Sequence, residues 1–424
     1  MTANLTDSQT TRLACEDLDA ADPLASFRGR FDLPPGVIYL DGNSLGALPK
    51  ATAARIQHVV IQEWGVGLIR SWNDAGWFDK PRALGERIAP LIGAGPGEVV
   101  IGDSTSVSLF QVAVAAARLR PGRRVIVSER DNFPTDLYML ESVQELLGDA
   151  SGALERRLIH DDGPSLDEVL DEDVAVVVLT HVNYRTGRMY DMAEVTRKVH
   201  EAGALMVWDL CHSVGAVPVD LNGAGADFAI GCTYKYLNGG PGSPSFIWVA
   251  ERHQSSARPP LTGWHGHARP FEFGVEYAPA AGMTRFRIGT PQLLSLAGLE
   301  ASLDLWDEVD LAQVRAKSLQ LTDLFIALVD SRLAPWGVEI VTPREHAVRG
   351  SQVALRVADG YPIMQALIER GVIGDFRGPD LIRFGFTPLY VSHADVWDAV
   401  EILEDILATE SWRAERFSRR GAVT

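Results

Sequence analysis

Leu205-Met-Val-Trp-Asp-Leu-Cys-His212, with Phe228-Ala-Ile230 and Gly231-Cys-Thr-Tyr-Lys-Tyr-Leu-Asn-Gly-Gly-Pro-Gly242 after it, decides the fold. Four apolar residues in a row read as a strand buried on both faces, the signature of a parallel sheet. The carboxylate that follows them then lies at the carboxyl edge of that sheet, where open α/β proteins place ligands. Upstream the same rhythm repeats. Glu98-Val-Val-Ile101, Arg124-Val-Ile-Val127, Arg157-Leu-Ile159 and Val174-Ala-Val-Val-Val-Leu179 read as strands, and Ser106–Leu119, Thr135–Leu147 and Met192–Ala202 as the helices between them. Downstream, Phe246-Ile-Trp-Val249 adds one more strand. Apolar strands alternating with amphipathic helices predict an α/β fold, with a mostly parallel sheet covered by helices.

Towards the ends the rhythm changes. Val37-Ile-Tyr-Leu40 reads as a short strand ending in the loop Asp41-Gly-Asn-Ser-Leu-Gly46, and residues 50–64 carry helical spacing. A long helical pattern from Leu293 to about Leu333 precedes strands at 338–341, 352–357, 372–375 and 381–384, with a last helix after His393. The expectation is a large domain over 49–300 and a smaller α+β C-terminal domain over 301–424, with the segment 1–48 associated. Clefts between such units are where small ligands usually bind.

Composition narrows the function. The 424 residues carry a formal net charge of −17, which disfavours nucleic acid and anionic membrane as partners. No apolar run is long enough for a transmembrane span, and the first residues show neither a basic start nor an apolar stretch. Cys15, Cys211 and Cys232 lack pairing or metal-ligand spacing, so a cytoplasmic protein without a metal is expected.

Asp209 alone reads equally well as a turn-capping carboxylate. Lys235 alone reads as a lysine snorkelling at a strand edge. Their placement at the ends of successive strands changes the reading, because an amine nucleophile and a carboxylate facing one crevice suit pyridoxal phosphate. The phosphate needs a cradle, and Gly102-Asp-Ser-Thr-Ser-Val-Ser108 supplies hydroxyls where a helix starts. Plain N-capping would use the same residues. No Walker sequence occurs, and Gly239-Gly-Pro-Gly242 lacks the strand-then-helix frame of a dinucleotide site. Lys50, Lys80, Lys198 and Lys317, the only other lysines, sit in polar surroundings where solvated side chains are expected. His265 and His267 read as loop residues, and Trp64, Trp72 and Trp77 as packing. Arg383 interrupts an apolar strand, and a partly buried guanidinium wants a carboxylate, here the substrate's.

Asp209-x-x-His212 with the lysine segment resembles the cofactor site of fold-type-I pyridoxal-phosphate enzymes. More narrowly, the chain resembles the kynureninases. Tyr39-Leu-Asp-Gly-Asn-Ser-Leu-Gly46, Asn132-Phe-Pro-Thr-Asp136, Thr180-His-Val-Asn-Tyr-Arg-Thr-Gly187, Gly263-Trp-His-Gly-His267 and Arg383-Phe-Gly-Phe-Thr-Pro-Leu-Tyr390 carry the same likeness across nearly the whole chain.

The resemblance implies that Lys235 bonds the cofactor aldehyde and moves protons at the substrate α-carbon. It implies that Asp209 pairs with the pyridinium, Phe133 stacks on the ring and His212 lies close by. Thr105, Ser106, Tyr234, Trp264 and Thr290 would surround the phosphate, with Trp264 and Thr290 coming from a neighbouring subunit of a homodimer. Asp136 and Thr180 would complete the cofactor shell, Arg383 would hold the substrate carboxylate, and Ser44 and Trp72 would line an aromatic pocket. The implied reaction is hydrolysis of L-kynurenine to anthranilate and L-alanine, with Tyr234 as proton donor and acceptor in its later steps. Family members that prefer 3-hydroxykynurenine tend to carry histidine and asparagine where this chain has Trp72 and Thr290, so kynurenine is the expected substrate. An aminotransferase of the same fold would share the Asp, Lys and Arg roles, and a non-catalytic binding protein is the reading from another class. A desulfurase is a weak rival, because no cysteine follows Cys232.

Overall fold

The computed structural model describes residues 10–148 and 154–421. The first nine residues of the 1–48 segment, which include the start read for a leader, and the last three of 301–424 lie outside the described residues.

Seven strands form the central sheet, in the spatial order Val99–Gly102, Ser245–Val249, Phe228–Gly231, Leu205–Asp209, Val174–Thr180, Val125–Glu129, Glu155–Ile159. Ser245–Val249 runs antiparallel to both neighbours and every other pair is parallel. Val174–Thr180 and Leu205–Asp209 are buried at every position, as the unbroken apolar runs predict for a sheet covered on both sides. The helix Thr105–Arg118 covers one face with a nearly continuous buried stretch from Ser108 to Ala117. Register then sets the site: Thr180 lies opposite Asp209, and Asp209 opposite Ile230, at one end of the sheet.

A second, four-stranded antiparallel sheet has the order Asp375–Arg377, Leu381–Gly385, Gln352–Arg356, Glu339–Ile340. Its register places Asp375 directly across from Arg383. The N-terminal strand Ile38–Tyr39 pairs in parallel with Val372–Ile373, and Asp41 bridges to Gly385. The loop Asp41–Gly46 is thereby laid between the two sheets. Gly46 comes so close to the Lys235 carbonyl and to Asn238 that a Cβ there would collide with both.

Three expectations need correction. The pattern from 293 to 333 is two helices, Leu293–Trp306 and Leu311–Arg332, because Asp310 accepts from Ala312 N at 2.8 Å and starts a new helix. The strand expected over 372–375 is two short strands serving different sheets, Val372–Ile373 and Asp375–Arg377. The helix expected over 50–64 is α-helical only over Ala51–His58 and then widens into π-helical turns over Val59–Gly67. The residue pair 300/301 falls within the helix Leu293–Trp306.

Candidate active site

Between the sheet end and the small antiparallel sheet lies a pocket that gathers the residues singled out by sequence, all but Trp72, Trp264 and Thr290. It is lined by Ser44, Thr105, Ser106, Phe133, Asp136, Thr180, Asp209, His212, Tyr234, Lys235 and Arg383, together with Asn43, Thr135, Tyr184, Cys211 and Arg377.

The floor is a carboxylate fixed by its own strand end. Asp209 Oδ1 accepts from Cys211 N at 2.7 Å, and its Oδ2 lies 3.3 Å from Thr180 Oγ1, whose hydroxyl also reaches Asn132 Oδ1. Asp136, almost fully buried beside it, has its pKa raised, by burial first and then by the Asp209 charge, so it keeps its proton. Asp136 Oδ2 and Asn132 Nδ2 are buried without a partner.

Lys235 Nζ lies 3.0 Å from His212 Nε2. Burial, and after it the Lys235 charge, pushes the His212 pKa well below the usual value, so the imidazole is neutral. Its tautomer is set by Gln352. The Gln352 amide nitrogen donates to the carbonyls of Asn183 (3.2 Å) and Tyr184 (2.8 Å), so its oxygen must be the atom facing His212 Nδ1 at 3.2 Å. Nδ1 therefore carries the hydrogen, and Nε2 presents a lone pair to the lysine. Asn43 Nδ2 donates to the same Gln352 oxygen at 3.2 Å.

At the far end, Ser104 caps the helix Thr105–Arg118, accepting from Val107 N. Thr105 and Ser106 then bring hydroxyls and first-turn N–H groups to one spot, an anion cradle. Tyr234 stands at this end too, its phenol pKa raised by burial and then by Cys232, so it stays protonated. Phe133 is 40% exposed on the pocket side, edge-on to Tyr184 with centroids 5.2 Å apart.

Arg383 is 1% exposed. Its Nε donates to Asp375 Oδ1 at 2.9 Å and its Nη2 to Ser44 Oγ at 2.9 Å, with further bonds to Asp375 Oδ2 and the Tyr184 carbonyl. Asp375, Arg377, Gln352, Asn43 and Tyr184 were not singled out from sequence. The register that brings Asp375 to Arg383 has no local signature.

This set fits pyridoxal phosphate. A carboxylate at the floor suits a pyridine nitrogen, the orphaned Asp136 Oδ2 belongs to a residue of the same lining, a lysine amine suits the aldehyde, and the capped helix start suits the phosphate.

Trp72 and Trp264 sit elsewhere, together. Their rings are 5.6 Å apart, and Trp264 stacks on His265 at 4.8 Å. Thr290 is exposed. His265 is buried and bonded to the Phe78 carbonyl at 3.1 Å, where the sequence suggested a plain loop residue. Trp77 is packed as expected, but Trp64 is 58% exposed. Two of the lysines expected in solvent are buried: Lys80 pairs with Glu300 at 2.8 Å and Lys317 with Asp22 at 2.6 Å.

Residues 314–403 match the family model of the kynureninase C-terminal domain. A kynureninase from Burkholderia pseudomallei is 57% identical over 418 residues, covering 98% of this chain and 100% of the relative. One from Pseudomonas fluorescens is 54% identical over 419 residues, with 98% and 100% covered. Among solved structures, the apo cysteine desulfurase from Thermococcus onnurineus NA1 superposes with a TM-score of 0.76 at 20% identity, covering 91% of this chain and 98% of that one. A C-DES variant with glycine covalently linked to its PLP cofactor gives 0.76 at 17% identity, covering 89% and 99%. These structures share the fold. With the pocket's residues in place and full-length identity above half, the chain belongs to the kynureninase family.

Proposed function

We propose that this pocket hydrolyses L-kynurenine to anthranilate and L-alanine by cleaving the Cβ–Cγ bond, and that Lys235 is the amine that moves protons at the α-carbon. The observation that carries the reading is the convergence of Lys235, Asp209, the Thr105–Ser106 cradle and Arg383 on one pocket. Pyridoxal phosphate, when bound, supplies the electron sink that amino-acid side chains lack.

Asp209 would face the cofactor's ring nitrogen and favour its protonated form, and Thr180 and Cys211 N keep that carboxylate in place. Lys235 takes the α-proton, with the His212 Nε2 lone pair ready to hold its ammonium in position. Water adds to the aryl ketone carbon. As the Cβ–Cγ bond breaks, that carbon leaves as the anthranilate carboxylate and Cβ takes up a proton. Tyr234, kept protonated by burial, is the donor suited to that step. Phe133, His212 and Asp136 would complete the cofactor shell, Phe133 against the ring, and Arg383 with Ser44 would orient the substrate.

The active form is a homodimer in which a second copy brings Trp72, Trp264 and Thr290 to this pocket. Two observations support this. These three residues lie apart from the pocket of their own chain. A broad apolar surface is also left uncovered, with Trp64, Val66, Leu68 and Ile69 all more than half exposed. Trp72 and Thr290 offer less hydrogen bonding to a ring hydroxyl than histidine and asparagine would, so kynurenine is preferred over 3-hydroxykynurenine, which a kcat/KM comparison checks. The chain is read as two units, 49–300 and 301–424, with 1–48 associated, its Ile38–Tyr39 strand pairing with Val372–Ile373 of the second unit. The cytoplasm suits it, with Cys15, Cys211 and Cys232 as free, buried thiols.

The test is to add L-kynurenine to the cofactor-loaded protein without a keto acid and follow anthranilate fluorescence. Transamination would need the keto acid, so anthranilate formation without one separates the two activities. Lys235→Ala should abolish it. A Lys235→Ala protein that still releases anthranilate would remove the assignment.

A further inference from the structure

We propose that Arg377 is a second carboxylate-binding residue, sharing the α-carboxylate of the substrate with Arg383. The inference rests on reading the pocket as the kynurenine site and goes beyond it, since neither sequence nor family likeness singled Arg377 out.

Donor counting leads there. A guanidinium has five N–H donors. Arg383 commits Nε and Nη2 to the two oxygens of Asp375, a second Nη2 hydrogen to Ser44 Oγ, and an Nη1 hydrogen to the Tyr184 carbonyl. One N–H remains, and a carboxylate held there alone would be gripped through a single oxygen. The two-pronged grip that makes arginine selective for carboxylates is already spent on Asp375.

Arg377 has what Arg383 lacks. It lines the same pocket, its side chain is 36% exposed, and among the described residues its Nη1 has no hydrogen-bond partner. Its Nη2 is anchored to Asp375 Oδ2 at 2.7 Å and reaches Ser44 Oγ at 3.4 Å. Asp375 therefore holds both guanidiniums side by side. It is the positioning residue of the pair, 2% exposed, and while the neighbouring Asp41 is neutral, one negative charge between two positive ones leaves a surplus of one. That surplus matches a single carboxylate, and the uncommitted Nη1 of Arg377 with the spare Nη1 hydrogen of Arg383 gives each carboxylate oxygen a donor.

The test compares two ligands that differ only by the carboxylate, L-alanine and ethylamine. Their dissociation constants are measured by calorimetry on cofactor-loaded wild type and on Arg377→Gln and Arg377→Lys, alongside KM for L-kynurenine. A charge-assisted hydrogen bond of ordinary strength predicts that Arg377→Gln lowers the preference for L-alanine over ethylamine by about ten- to a hundredfold. Arg377→Lys should restore part of it. Ethylamine affinity should hold in both variants, which shows that they have folded. The KM for L-kynurenine should rise in step with the lost preference. An unchanged preference overturns the inference even if wild type makes anthranilate. Equal weakening of both ligands overturns it as well, since that is damage to the pocket. If wild type makes no anthranilate but the preference falls, the activity assignment fails and the guanidinium pair stands.

Discussion

Replacing Gln352 with glutamate changes one atom of a buried hydrogen-bond junction and should alter the proton chemistry of the lysine two residues along the chain of contacts. The amide oxygen 3.2 Å from His212 Nδ1 becomes part of a carboxylate. At an effective dielectric of about 20, a full charge at about that distance favours the imidazolium by roughly 5 kcal/mol, between about 3 and 4 pK units. That is enough to undo the downward push that burial and Lys235 exert on His212. The imidazolium then points an N–H, in place of a lone pair, at Lys235 Nζ 3.0 Å away. Two positive groups now face each other where a donor and an acceptor did. The other carboxylate oxygen also meets the Asn183 and Tyr184 carbonyls, which had been accepting from the amide nitrogen.

The assay is the pH profile of kcat/KM for L-kynurenine. Gln352→Glu should lose about a hundredfold near neutrality and show an acid limb displaced to higher pH than that of wild type. The route through His212 is tested in the His212→Gln background, where Gln352→Glu should add little. Fully additive losses, or a Gln352→Glu profile parallel to that of wild type, would show that Gln352 does not act by setting the imidazole tautomer.

Two other groups give predictions of different kinds. Burial, and then the neighbouring Asp375 charge, pushes the Asp41 pKa up to about 7, and one of its oxygens is buried without a partner. The groups facing it are Asp375, Arg377, Arg383 and the phenols of Tyr39, Tyr236 and Tyr390. Because the pKa is raised, the carboxyl is neutral below about pH 7. Above that it ionises and cancels the positive surplus that attracts the substrate, so KM for L-kynurenine should climb through neutrality. Asp41→Asn should flatten that climb, and an unaltered profile would exclude the role. Asp227 is 1% exposed and accepts from Met206 N, His200 and His253 at 2.8 Å each, and from Arg252 at 2.6 Å. Against the upward push of burial, the two imidazole hydrogen bonds hold its pKa far below the usual carboxylate range. Its stabilisation is therefore complete above about pH 4 and is lost as the pH falls further. Asp227→Asn should cost about 3 kcal/mol in denaturant unfolding while leaving kcat nearly intact at moderate temperature.

The sequence shows most plainly what is encoded locally. Val174–Thr180 and Leu205–Asp209 announce themselves because a strand covered on both faces must be apolar throughout, and Asp209 and Lys235 stand out at the ends of such strands. The cradle at Thr105 and Ser106 was visible as hydroxyls where a helix begins. The substrate end was far less legible. Asp375, Arg377 and Gln352 sit in short strands of mixed polarity, and their partners Ser44, Asn43 and His212 lie far away in the chain. The same holds for the buried lysines: Lys80 and Lys317 look solvated until Glu300 and Asp22 are brought to them by packing. The break before Leu311 did carry a local sign, since an aspartate at position 310 is a good N-cap, but the apolar spacing on both sides ran through it.

The geometry also ties together two tasks that the sequence presents as separate. The Tyr184 carbonyl accepts from Gln352 Nε2 at 2.8 Å and also from Arg383. Gln352 in turn sets the His212 tautomer, and His212 faces Lys235. The guanidinium that holds the substrate and the amine that takes its proton thus share one backbone oxygen, with a single amide and a single imidazole between that oxygen and the amine. A carbonyl accepting two donors holds neither as firmly as it would hold one, so drawing Arg383 towards a bound carboxylate should tighten Gln352 on Tyr184. The consequence is directional. Ligands that carry a carboxylate should fix the His212 lone pair on Lys235 more firmly than ligands that lack one. The penalty of Gln352→Glu should therefore be larger for L-alanine than for ethylamine, although neither touches position 352. Equal penalties would mean that the shared carbonyl is a coincidence of packing.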